Sequence, residues 1–154
     1  MSDGPKIASN PLRIAVGLLV LSYLIGEFII PKYSLIYAFK LVGILGLIFS
    51  TLIFISAISI FKSYDEDPTP TSTTKRIIKT GIFAYTRNPI YLAFVIFLLS
   101  MFLVFENVMY FLSAVGLAIW LHNYVIKLEE NFLLNKFSDE YDQYMKAVKR
   151  WIFF

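Results

Sequence analysis

Apolar residues in this 154-residue chain come in long runs, not in the strict alternation of a half-buried strand or the single stripe of a solvated helix. A helix crossing roughly 30 Å of hydrocarbon needs about 20 residues, and about 17 at the least. Four runs meet that length: Ile14–Ile30, interrupted by Glu27 and closed by Pro31; Leu41–Phe61, free of charge; Pro89–Phe105, which is short; and Asn107–Ile126, which holds the single histidine. Only Glu106-Asn107 separates the last two, so they are predicted to form a tight helical hairpin. The first run has no small-residue cleavage site and is followed almost at once by the second, which argues against a removable signal. The expected fold class is all-α: one integral membrane helical bundle over 1–154, with four transmembrane helices near 14–30, 41–61, 89–105 and 107–126 and a C-terminal amphipathic helix.

The segments between and after the runs are of two kinds. The loop 62–88 opens with Ser63-Tyr64-Asp65-Glu66-Asp67-Pro68-Thr69-Pro70, whose prolines predict an extended or turning start. In the terminal segment 127–154, Ser138-Asp139-Glu140 reads as an N-cap followed by acids in a first turn, and Tyr141, Tyr144, Met145 and Val148 recur at helical spacing. Such a helix either lies on the membrane face or folds over a pocket.

Composition strengthens the membrane reading. Hydrophobic residues make up 58% of the chain, against roughly 45–50% in soluble proteins; charged residues are 16% and mean hydropathy is +0.68. Too little polar surface remains for a solvated globule, a coiled coil or a disordered chain. A pI near 9.0 rests on a net charge of only +3 with no solvated basic domain, so nucleic acid is not an expected partner. With no cysteine there is no disulfide framework, thiolate metal site or thiol nucleophile. Twelve of the 14 cations, from Lys6 and Arg13 to Lys149 and Arg150, fall on the side shared by both termini and the loop 62–88, leaving Lys32 and Lys40 opposite. By the positive-inside rule that side is cytoplasmic, in a prokaryotic plasma membrane or an endoplasmic reticulum, and an aqueous site is expected to open there.

Three groups of residues exceed what a membrane anchor needs. In Gly81-Ile82-Phe83-Ala84-Tyr85-Thr86-Arg87-Asn88-Pro89-Ile90-Tyr91, Asn88 suits an N-cap and Pro89 a first helical residue. A helix start with free N–H groups beside Arg87 can hold a carboxylate or phosphate; a capped helix with a snorkelling arginine is the plainer reading. Glu129-Glu130 at a helix end runs against the macrodipole, and paired carboxylates can accept from a ribose diol or an ammonium, or simply be solvated. His122, seven residues before Glu129, shares its face in a regular helix and can act as a base, but a lone histidine makes no metal site. Glu27 and Lys40, buried or half-buried charges, are expected to pair with each other or to snorkel.

In order, Thr80-Gly81, Arg87-Asn88-Pro89-Ile90-Tyr91, Glu129-Glu130 with Leu133, Phe137, Tyr141, Tyr144, Val148 and Arg150-Trp151-Ile152 resemble the isoprenylcysteine carboxyl methyltransferase and phospholipid methyltransferase superfamily. The resemblance covers about half the chain, from Lys79 onward. Ile82 stands where that pattern has Pro, Asn88 where eukaryotic carboxyl methyltransferases have His, Ser138 where it has Gly, and Phe153 where Pro is common.

The resemblance implies an integral membrane enzyme that uses S-adenosylmethionine enclosed by the C-terminal half, with a lipophilic acceptor entering laterally among membrane lipids. On that reading Gly81, Asn88, Pro89, Tyr91, Glu129, Glu130, Tyr141 and Tyr144 surround the cofactor, and Arg87, Glu130, Arg150 and His122 are the candidates for catalysis. A carboxylate acceptor needs a cation to place it, whereas an amine acceptor needs a proton removed, and the residues leave both open. An NADPH-dependent enzyme like the sterol reductases and a non-enzymatic membrane scaffold are the alternatives.

Overall fold

A computed structural model describes residues 4, 5, 7, 9–32, 34–72 and 74–152. Lys6, counted above among the cytoplasmic cations, and Phe153 lie outside them. The described residues form helices and connecting turns: α1 (Pro11–Phe28), α2 (Tyr37–Ser63), a 3₁₀ turn at Gly81–Ala84, α3 (Pro89–Phe105), α4 (Val108–Trp120), a π-helical stretch at Leu121–Ile126, α5 (Lys127–Phe137) and α6 (Asp139–Ala147). Three stretches are long and apolar enough to cross a membrane, Pro11–Phe28, Tyr37–Ser63 and the continuous Val108–Phe137, while α3 is apolar over only 17 residues.

Polar side-chain caps fix the starts of α1 and α4, while α3 keeps the bounds of its apolar run. α1 starts at Pro11, three residues earlier than predicted, because Asn10 Oδ1 accepts from Leu12 N–H at 2.9 Å. α2 begins at Tyr37 and takes Lys40 into its first turns, where the apolar run had been cut at that charge. The α3–α4 hairpin forms as predicted. Glu106 ends α3 in the left-handed conformation (φ 56°), and Asn107 caps α4 by accepting from Met109 N–H at 2.9 Å.

Close backbone approach holds the bundle together. On α2, Gly43 and Gly46 face Ser100, Leu103 and Val104 of α3, where a Cβ on Gly46 would stand 2.2 Å from Ser100 Oγ. Such small residues let apolar helices touch where water supplies no drive. Ser22 of α1 bonds Ser113 of α4 at 2.7 Å and donates to the Met109 carbonyl at 3.2 Å. The core joins Ala15, Tyr91, Leu98, Tyr110, Leu117, Leu121 and Val125 to Trp151, which pins the end of the chain to the bundle. Outward, Val16, Val20 and Leu24 of α1 and Leu45, Ile48 and Leu52 of α2 stay exposed, an apolar surface suited to lipid. The chain is a membrane protein.

Two expectations are corrected. Glu27 and Lys40 do not pair with each other: Glu27 binds Lys32 at 2.9 Å, and Lys40 binds Glu106 at 3.1 Å. The left-handed residue of the hairpin turns its carboxylate back to the start of α2, where it also accepts from Leu35 N–H at 2.7 Å. Ser138 sits at the start of α6 but makes no side-chain cap; its backbone (φ 45°, ψ −116°) is one that glycine adopts with less strain, matching the glycine it replaces in the superfamily pattern.

Gly26 is the tightest of the helix contacts. A Cβ there would fall 1.4 Å from Asn107 Nδ2 and 2.4 Å from its Oδ1, the atom that caps α4. Gly26→Ala is therefore expected to destabilise the bundle by about 2 kcal/mol or more, through overpacking and loss of the cap. Thermal or denaturant unfolding in detergent checks this, and an unchanged midpoint would contradict it.

Candidate active site

At the end of the bundle where α2 finishes and α3 starts, four separate segments meet. Gly81 opens the approach to α3 with φ +59°, and a Cβ there would stand 2.4 Å from Ile60 Cδ1, so the close pass of this turn over α2 calls for glycine. The turn leads into Thr86-Arg87-Asn88, and these are stitched to the chain's last described residues. Arg87 N–H donates to the Lys149 carbonyl at 3.0 Å, while buried Thr86 and the Asn88 amide both donate to the Arg150 carbonyl, at 3.1 and 3.0 Å. Asn88 thus occupies the cap position of α3 without capping it, because its side chain is spent on the C-terminal segment.

Glu130 organises the centre. Its Oε1 accepts from Arg87 at 2.6 Å and from Arg150 Nε at 3.0 Å, and its Oε2 accepts from the other arm of the Arg150 guanidinium. Arg87 also donates to the Met145 and Val148 carbonyls, at 2.9 and 2.7 Å, which closes the end of α6. This pairing holds the Arg150 guanidinium above its already high ordinary pKa, hydrogen bonding to Glu130 being the main cause. Arg150 further donates to His122 Nε2 at 3.1 Å. A guanidinium can only donate, so Nε2 accepts and the imidazole proton sits on Nδ1.

His122 and Glu129 are not brought together as a regular helix would require. The π-helical stretch Leu121–Ile126 inserts an extra residue, so the position seven residues on is rotated away and the one eight residues on, Glu130, takes its place. Glu129 turns instead to α3, accepting from the Tyr91 hydroxyl at 2.6 Å. The two adjacent acids are thereby unlike: Glu130 is filled by two guanidinium groups, and Glu129 has one neutral donor and lone pairs to spare.

α6 closes one side. Tyr144 donates to the Phe83 carbonyl at 2.6 Å, and Tyr141 stacks edge-on to it with ring centres 6.0 Å apart. Burial pushes both phenols well above their ordinary range, so they serve as neutral hydrogen-bonding rings and not as phenolate bases. Between α6, α5, the α3 start and the loop lies the larger of two clefts, partly open to solvent, with Phe83, Arg87, Asn88, Glu129, Glu130 and Tyr141 among its walls. A second cleft is mostly apolar, lined by Leu12, Phe54, Ile58, Ile90 and Phe94 with Tyr91. Pro68, Thr69 and Pro70 border both clefts, and the Tyr91–Glu129 hydrogen bond runs between a residue of one and a residue of the other.

Of the residues singled out in the sequence, Arg87, Asn88, Glu129, Glu130, Tyr141 and Tyr144 line the larger cleft, Tyr91 the smaller, and His122 and Arg150 stand behind Glu130. Gly81 and Pro89 shape the backbone and line neither cleft. Thr86 and Glu66 were not anticipated. Thr86 adjoins the arginine motif and was legible as part of it, whereas Glu66 sits in an acidic run that looks solvated throughout.

Removing one partner from a buried ionic cluster costs roughly 3–5 kcal/mol, because the remaining charges are left without compensation. Glu130→Ala leaves Arg87 and Arg150 facing one another, and the segment they hold should open. Limited trypsin digestion in detergent is expected to cut first at Lys146, Lys149 or Arg150 in the variant and not in the parent protein; identical digestion patterns would contradict the clasp.

A model of the phospholipid methyltransferase family matches residues 33–140, which include Glu66, Arg87, Asn88, Tyr91, Glu129 and Glu130. No curated protein matches the chain.

Proposed function

The chain belongs to the phospholipid methyltransferase family, and on that premise we propose that it moves a methyl group from S-adenosylmethionine to the amine of a membrane lipid. The observation that carries the reading is the meeting of a polar, tyrosine- and arginine-walled cleft with an apolar one across the Tyr91–Glu129 hydrogen bond. A water-soluble cofactor suits the first and a lipid chain the second, with reacting atoms at their common border.

The residues fit this cofactor. Arg87 lines the cleft and its Nε is a buried donor without a hydrogen-bond partner, which could take the cofactor's carboxylate while the other arms of the guanidinium stay on Glu130 and α6. Tyr141 and Phe83 are aromatic residues in the lining that could meet an adenine or a sulfonium. When bound, the cofactor supplies an electrophilic methyl carried on a sulfonium. The transfer is an in-line displacement that neutralises that charge, so alignment and exclusion of water are the protein's main contributions. Glu129, held by Tyr91 and facing no cation that would fill it, takes the proton the amine must lose. Glu130, Arg150 and His122 hold the wall in place and touch neither reactant. A prenylcysteine-type carboxylate is the lesser candidate acceptor, because it would compete with the cofactor's carboxylate for Arg87 Nε, while Arg150 is engaged by Glu130 and His122.

For the membrane we propose four spans, α3 crossing as the short one, with both termini and the loop 62–88 cytoplasmic. α6 then covers the larger cleft from the cytoplasmic side.

The purified protein in detergent is expected to bind S-adenosylmethionine with micromolar affinity and to pass labelled methyl to phosphatidylethanolamine in vesicles. Glu129→Gln should lower transfer by roughly 100-fold or more while leaving cofactor binding intact. Saturable NADPH binding, or no cofactor binding, would overturn the methyltransferase reading. Label entering prenylcysteine carboxylates or only water-soluble amines would overturn the lipid-amine assignment.

A further inference from the structure

The loop after α2 carries a charge that the fold itself leaves incompletely used. Glu66 lies between two exposed acids, Asp65 and Asp67, yet its own side chain is only 3% exposed. Its Oε2 accepts from Lys75 N–H at 3.2 Å, which closes the loop on itself. Its Oε1 is buried with no hydrogen-bond partner; the nearest cation, Arg76, has its Nε 3.5 Å away and a side chain that is largely in solvent. A buried carboxylate oxygen left in this way is costly unless a donor reaches it.

Glu66 lines the larger cleft, as does Arg87, whose Nε is a buried donor without a partner. The two vacant hydrogen-bonding atoms are opposite in kind, one an anionic acceptor and one a cationic donor. They come from segments 21 residues apart in sequence that the fold sets around one space. A ligand presenting a carboxylate and an ammonium together satisfies both.

We propose that Glu66 receives the ammonium of the cofactor's α-amino-acid end, opposite Arg87 at the carboxylate. The proposal rests on the methyltransferase reading and adds to it a residue outside the C-terminal half. Pro68–Pro70, immediately after Glu66, wall both clefts, so ligation at Glu66 also fixes the border against which the acceptor packs. Arg76, over the Tyr64 ring at 6.0 Å, can swing into solvent as the ammonium enters, since it holds Glu66 through a long contact only.

The test compares two probes that are not consumed. S-adenosylhomocysteine carries the amino-acid end; methylthioadenosine keeps the adenine and ribose and lacks it. Their affinities for the full-length protein in detergent are measured by calorimetry, or by competition with labelled S-adenosylhomocysteine, for the parent chain, Glu66→Gln and Glu66→Ala. Both variants are expected to bind S-adenosylhomocysteine about tenfold or more weakly, with methylthioadenosine affinity unchanged. Glu66→Gln keeps the acceptor for Lys75 N–H and guards against a loop that simply unfolds. Equal losses for both probes would show a structural role and overturn the proposal, as would unchanged affinity for S-adenosylhomocysteine. A parent chain that binds neither probe would overturn the methyltransferase reading itself, and this inference with it.

Discussion

Everything at the polar end of this protein depends on one carboxylate between two guanidinium groups. Glu130 leaves α5 into a space closed on one side by Arg87, at the entry to α3, and on the other by Arg150, at the end of the chain. Three segments far apart in sequence are held by that contact, and main-chain bonds extend it: Arg87 to the carbonyls ending α6, and Thr86 and Asn88 to the Arg150 carbonyl. Burying such charges is expensive, and the cluster is tolerable because the Glu130 oxygens are filled and its cations find further acceptors. The clasp gives a short chain, otherwise a sheaf of apolar helices, a defined polar cavity.

The clasp also divides labour between two neighbouring acids. With Glu130 committed to holding the wall, Glu129 is turned by the π-helical stretch toward Tyr91 and the border of the apolar cleft. The two acids are thus adjacent in sequence yet face different partners. On the function we propose, a lipid amine entering from the apolar cleft would reach Glu129 without crossing the arginine cluster. Tyr141 and Tyr144, kept protonated by burial, cover the opposite side without competing for that proton.

Much of the bundle was legible in the sequence because hydrophobic length is a local property. α3 begins and ends where its apolar run does, and the Glu106-Asn107 hairpin follows from there being no room for any other connection. Asn10 and Lys40 show where that reading fails: a cap starts α1 early and α2 tolerates a charge in its first turns, so both overrun their apolar limits. The site residues were legible as a set through the Arg87 to Arg150 motifs, but their pairing was not. Nothing local marks the inserted residue of the π stretch, and that residue decides whether His122 stands over Glu129 or, through Arg150, over Glu130. Charge pairing across turns was equally hidden, since Lys40 meets Glu106 only once the hairpin has formed. Glu66 is the extreme case: its neighbours are solvated, and burial alone sets it apart.

We propose that the cofactor binds in the cleft behind the Glu130 clasp, between α6 and the loop after α2. A structure of the full chain in a lipid nanodisc with S-adenosylhomocysteine tests it most directly. Ligand density is expected in that cleft, with its carboxylate at Arg87, its sulfur near the Tyr91–Glu129 border and the Glu130 pairs with Arg87 and Arg150 unbroken. Density elsewhere on the protein, or a ligand that takes Glu130 from its arginines, would contradict it.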